Sequence, residues 1–145
     1  MPKVLLFAPC ERVLVNDLDN NISLITVLQE ISISITSPEK LPDESNVVTR
    51  WEILAVWIRE PSDDGKRFEQ VCTMSMPDGR NLTPFRVVFS MEKRAHRQVV
   101  TLRGFPVSKV PGECVLKLWL REDVEDAPLQ QVAEFPLQLK HDPAE

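Results

Sequence analysis

The chain is short of glycine, histidine and paired cysteine, and it has no long apolar run. Each shortage removes a class of function. Its four glycines, Gly65, Gly79, Gly104 and Gly112, stand far apart, so no glycine-rich loop can be assembled to cradle a phosphate. The two histidines are His96, set among Lys93, Arg94 and Arg97, and His141, near the last residue. Nucleophilic catalysis needs a base within hydrogen-bond reach of its nucleophile and a group to orient that base. Neither histidine offers that pattern, and no Gly-x-Ser-x-Gly elbow is present. The expectation is a protein that is not an enzyme, with no catalytic residue to assign. Cys10, Cys72 and Cys114 contain no Cys-x-x-Cys pair, which leaves neither a zinc knuckle nor a thioredoxin-type motif. Their apolar flanks predict buried thiols in a reducing compartment, the cytoplasm. No segment approaches the ~18 apolar residues of a membrane span. Lys3 followed by Val4 to Cys10 superficially resembles a signal segment ending at a lipidated cysteine. Its apolar run is shorter than the ~7–15-residue core such segments need, and Pro9 stands where cleavage requires a small, flexible residue. A first strand is the expected structure.

The charge balance is also exclusive. Seventeen basic against 22 acidic residues give −5, which argues against nucleic acid and against anionic lipid as partners, because both are gripped by clustered cations. The one basic cluster, Lys93-Arg94-Ala95-His96-Arg97, is short and has no interleaved aromatic residues.

What is present is strand patterning along one domain, residues 1–145. A chain of this length buries roughly 68–70% of its unfolded surface, enough for a core without metal or disulfide. Val4 to Phe7 begins a strand that Pro9 is expected to bend or bulge, with Val13 to Val15 resuming it. Asn16 to Asn21 is a turn, since Asn and Asp bond their own backbone, and Ile22 to Leu28 returns as the partner strand. Ile31-Ser-Ile-Ser-Ile-Thr36 alternates without a fault. Val47 to Arg59, the breaker Glu60 to Gly65 with its Asp64-Gly65 turn signal, and Lys66 to Met76 read as one long β-hairpin, the spine of the domain. Pro77-Asp78-Gly79 and Val110-Pro111-Gly112 are turns, Gly104 breaks a strand, and alternating leucines follow from Leu116. Turn signals about every 8–12 residues and about eight or nine strands predict an all-β fold. The architecture expected is a two-sheet antiparallel β-sandwich, immunoglobulin-like or C2-like.

The Trp-bearing strand is apolar on both faces: Trp51, Ile53, Ala55 and Trp57 on one, Leu54, Val56 and Ile58 on the other. Such a strand has both faces covered. Either a neighbouring loop or the N-terminal segment covers the second face, or a partner subunit does. A one-residue slip exchanges the two faces, so the inward set stays open. Asp17, Asp19 and Asn21 place oxygens at alternate positions, as a calcium loop does. Ile22 at the sixth position and Leu28 at the twelfth exclude an EF-hand. A C2-like calcium site would combine this loop with Asp63 and Asp64, or with Asp123 and Asp126. Trp51, Trp57 and Trp119 would make a sugar-stacking platform if exposed together, and core residues if not.

The first part of the chain resembles a known family. A strand ending in Cys10-x-x-Val13, an Asp/Asn turn, and Ile22-Ser-Leu-Ile25 with Val27 and Ile31 resemble a family of small bacterial proteins of unknown function, similar in length and β-sandwich throughout. Pro111-Gly112-Glu-Cys114 before the alternating leucines is similar to that family's Gly-x-Tyr entry into its penultimate strand, with Cys114 in place of the tyrosine. The resemblance implies the fold and a bacterial cytoplasmic origin. It supplies no active site, no cofactor and no metal ligands. The function expected is a non-enzymatic protein-interaction or self-association module; the rival is a calcium- or small-ligand-binding domain using its acidic end loops.

Overall fold

The period-2 patterns resolve into strands in the computed structural model, which describes residues 1–35, 37–42 and 45–143. Thr36, the last residue of the Ile-Ser alternation, lies outside the described residues, as do Asp43 and Glu44 of the following loop. Among the described residues there are nine strands: β1 (Lys3–Val15), β2 (Ile22–Val27), β3 (Glu30–Ile35), β4 (Asn46–Ile58), β5 (Arg67–Ser75), β6 (Asn81–Ser90), β7 (Ala95–Pro106), β8 (Gly112–Glu122) and β9 (Gln130–Pro143). They form two sheets, ordered β2-β1-β4-β7 and β3-β9-β8-β5-β6. The fold is the two-sheet, all-β sandwich that the alternation predicts. It is not wholly antiparallel, because β3 runs parallel to β9, with Ile31 beside Leu139. The register keeps the isoleucines of β3 half-buried and its serines exposed.

The stretch Val47–Met76 is not a hairpin. β4 and β5 lie in different sheets. The turn at Asp64-Gly65 does form, with Gly65 at φ +74°, but residues 59–66 also contain a 3-10 turn at Pro61–Asp63. A connector of that length arches between layers instead of closing a two-residue hairpin. Each strand is instead central in its own sheet: β4 sits between β1 and β7, and β5 between β8 and β6. The tight hairpin is the next one, where Pro77-Asp78-Gly79 joins β5 to β6 and Met76 N–H reaches Arg80 O at 2.9 Å.

Two breaks expected along the strands are absent. β1 runs through Pro9 unbroken, and its irregularity falls between Val4 and Leu6. Pro9 O accepts from Leu28 N–H at 3.0 Å, so its ring nitrogen points to the same edge, beyond the last residue of β2. No ladder bond to β4 is lost. β7 likewise continues past Gly104, whose φ of +92° accommodates an extra residue of β4 between Val47 and Arg50. A Cβ on Gly104 would meet Asn46 Cβ at 3.4 Å, an ordinary contact, so the positive φ is what favours glycine there.

The inward face of β4 is the one bearing Trp51, Ile53, Ala55 and Trp57, all within the main core. Trp57 donates its indole N–H to Gln70 Oε1 of the facing sheet at 3.1 Å and stacks near Phe89, centroids 5.6 Å apart. Gln70 is fully buried, so that bond joins the two layers where no water can substitute. Replacing Gln70 by Leu strands the indole N–H, and urea unfolding is expected to register a loss of about 1–3 kcal/mol. In hydrogen exchange the Trp57 indole proton should open only with global unfolding; fast exchange there would contradict this layer contact.

Candidate functional site: the β1–β2 ribbon

The second face of β4 is covered by the chain's own N-terminal segment. β1 pairs with β4 from Lys3 to Cys10 and with β2 from Cys10 to Val15. Past Cys10 the β1–β2 ribbon leaves the edge of β4 and crosses its outer face. Its tip reaches β7, where Arg97 donates to Asn20 O at 3.1 Å and to Asn20 Oδ1 at 3.0 Å. Midway, Val13 N–H donates to Glu52 Oε1 at 3.1 Å. Glu52 is only 4% exposed, and its other oxygen accepts from the Thr101 hydroxyl at 2.9 Å. Ala8, Cys10 and Leu54 are buried outside the main core as a small second cluster on this face.

The ribbon's turn consumes its own polar groups. Asn16 Oδ1 accepts from Leu18 N–H at 2.9 Å, and Asp19 Oδ1 accepts from Asn21 N–H at 3.0 Å. Asn20 occupies the left-handed region at φ +59°, which asparagine tolerates. Thr26 sits at φ +52°, a strained conformation for a β-branched residue. On one face of the ribbon Leu14, Ile25 and Val27 are exposed, and Leu18 at the tip is 97% exposed.

The acidic loops do not converge. Asp63 is buried, accepts from Glu60 N–H at 2.8 Å and lies 3.4 Å from the ammonium group of Met1. Asp64 pairs with Arg59 at 3.0 Å and Asp123 with Arg67 at 3.8 Å. Among the described residues no group of three or more His, Cys, Asp or Glu side chains is placed to hold a metal ion. The calcium constellation of Asp17, Asp19 and Asn21 with Asp63 and Asp64, or with Asp123 and Asp126, is therefore not assembled.

The histidines are equally separate. His96 stacks on Phe89, centroids 4.6 Å apart, with Nε2 3.2 Å from Gln98 Oε1. His141 Nε2 lies 2.8 Å from Ser108 O. Cys10, Cys72 and Cys114 are free and buried. Burial, aided by the nearby Glu52 carboxylate, raises the Cys10 pKa. Burial pushes Cys72, with Cys114 beside it, and Cys114 itself up to about 12. Thiols so protonated are poor nucleophiles.

The three tryptophans do not form a platform. Trp51 and Trp57 are core residues, whereas Trp119 lies half-buried with its N–H on Thr73 Oγ1 at 2.8 Å. Beside it Glu69 receives Arg86 at 2.7 Å and Arg121 at 3.0 Å. Two elements escaped the sequence reading: the Glu52 anchor and the Arg97–Asn20 clasp. Glu52 carried a signal, as the single acid within an otherwise apolar strand core; the clasp, spanning 77 positions, carried none.

No protein-family model matches the chain, and no curated protein matches it.

Glu52→Ala leaves Val13 N–H and the Thr101 hydroxyl without their acceptor. The expected cost is about 1–3 kcal/mol in urea unfolding, with hydrogen exchange accelerated in residues 10–27 more than in β8. The raised thiols predict a pH dependence. A buried thiol keeps its proton while the unfolded chain releases one above its ordinary 9.0, so stability is full below that pH and declines as pH rises toward about 12. The decline is roughly 1.4 kcal/mol per pH unit for each thiol. The double variant Cys72→Ala, Cys114→Ala should reduce it to the share owed to Cys10, as read by urea midpoints between pH 8 and 10.

Proposed function

We propose that the chain is a non-enzymatic protein-interaction module of the bacterial cytoplasm that self-associates through the β1–β2 ribbon. The bare edge of β2 carries this reading. An exposed strand edge is a template for another chain, and proteins blunt such edges with charge, proline or bulges. Of the four edge strands, β3 has Glu30, β6 has Pro84 and Arg86, and β7 has Arg97, Arg103 and the Gly104 irregularity. β2, Ile-Ser-Leu-Ile-Thr-Val, has no charge and no proline, and its one irregularity, Thr26 at φ +52°, stands next to its end. Exposed Ile25, Val27, Leu14 and Leu18 adjoin it. A second copy related by a two-fold axis would lay β2 against β2, an isologous contact in which each edge satisfies the other.

The engagement of the histidines, thiols and acids in other contacts supports a non-catalytic role. Three free, buried thiols suit a reducing compartment, and the bacterial origin rests on the family resemblance of the N-terminal strands. Light scattering at micromolar concentration should return twice the 16.6 kDa chain mass. Ile25→Lys, which blunts the edge, should return a monomer with an unchanged melting temperature. A monomeric mass for the unaltered chain would remove self-association.

A further inference from the structure

Beneath the ribbon's tip lies a cleft of about 740 Å³, within the range of small-molecule sites. We propose that it binds a small amphipathic anion: an aliphatic chain ending in one carboxylate.

The lining divides by chemistry. Leu5, Leu6, Ile22 and Val56 supply apolar surface, and Lys93 and Arg97 supply cationic groups, with Glu92 as the acid in the lining. Leu5 is 69% exposed. It stands at the irregularity in β1 between Val4 and Leu6, and bulges of this kind re-aim a side chain beside binding sites. The cations are not neutralised by acids. Arg97 spends two donors on the neutral oxygens of Asn20 and retains its full charge and further N–H groups. Lys93 has no ion-pair partner among the described residues. In a chain of net charge −5, two such cations over an aliphatic floor select an anion with an apolar body. A carboxylate can take the Lys93 ammonium and the Arg97 N–H groups that Asn20 leaves unused, and the floor takes the chain.

This site shares Ile22 with β2 but not Ile25, and its test is run on the monomeric Ile25→Lys variant so that the two readings fail independently. Isothermal titration calorimetry with decanoate, decanol and acetate, each below its aggregation threshold, provides the comparison. Decanoate should bind, decanol about fivefold more weakly for want of the charge, and acetate not measurably. Lys93→Gln should weaken decanoate by about fivefold at unchanged melting temperature, and Lys93→Arg should restore it. Methyl chemical-shift changes should fall on Leu5, Leu6, Ile22 and Val56. Absence of decanoate binding, equal affinity for decanol, or shifts confined to Leu14 and Leu18 would each overturn the proposal.

Discussion

One strand has large apolar side chains on both sides, and the rest of the molecule answers that constraint. β4 cannot leave either face to water, since burying a single large aliphatic or aromatic side chain is worth about 1.5–3 kcal/mol. On one side the five-stranded sheet meets Trp51, Ile53, Ala55 and Trp57. On the other, the β1–β2 ribbon parts from β4 after Cys10, anchors on Glu52 through Val13 and reaches Arg97 at its tip. Burying that second face takes a carboxylate with it, and Glu52 is tolerated there because Val13 N–H and the Thr101 hydroxyl both donate to it.

The ribbon therefore has two consequences for surface chemistry. Its return across the sheet leaves its own outer face and free edge uncovered, which is where the interaction reading arises. It also stands off from the sheet at its tip, where the Arg97–Asn20 clasp holds it, and the gap is the cleft. Both candidate surfaces follow from covering β4 with a two-stranded ribbon instead of a third sheet or a helix. A ribbon is too narrow to bury its own second side.

Local patterns were readable where the physics is local. The Asn16–Asn21 turn forms by Asn and Asp side chains bonding their own backbone, as their chemistry requires. The Pro77-Asp78-Gly79 hairpin forms for a similar reason, because its two strands are held by the turn itself. The Val47–Met76 reading failed because alternation says that a strand has a buried face, and it does not say which strand lies beside it. An Asp-Gly turn inside a longer connector permits a hairpin or an arch between layers, and the choice lies with β1, β7, β6 and β8, which are distant in sequence. Pro9 was misjudged for a related reason: a proline interrupts a ladder only where its nitrogen faces a partner, and β2 ends before reaching it.

Composition and period-2 alternation alone determined an all-β sandwich with buried thiols, because those properties depend on each strand's need to hide one face. The pairing of β3 with β9, the separation of β4 from β5, the burial of Glu52 and the meeting of Arg97 with Asn20 were decided only in three dimensions. Each depends on which of several similarly apolar strands become neighbours. That choice is made by the summed packing of the whole chain, not by any segment of it.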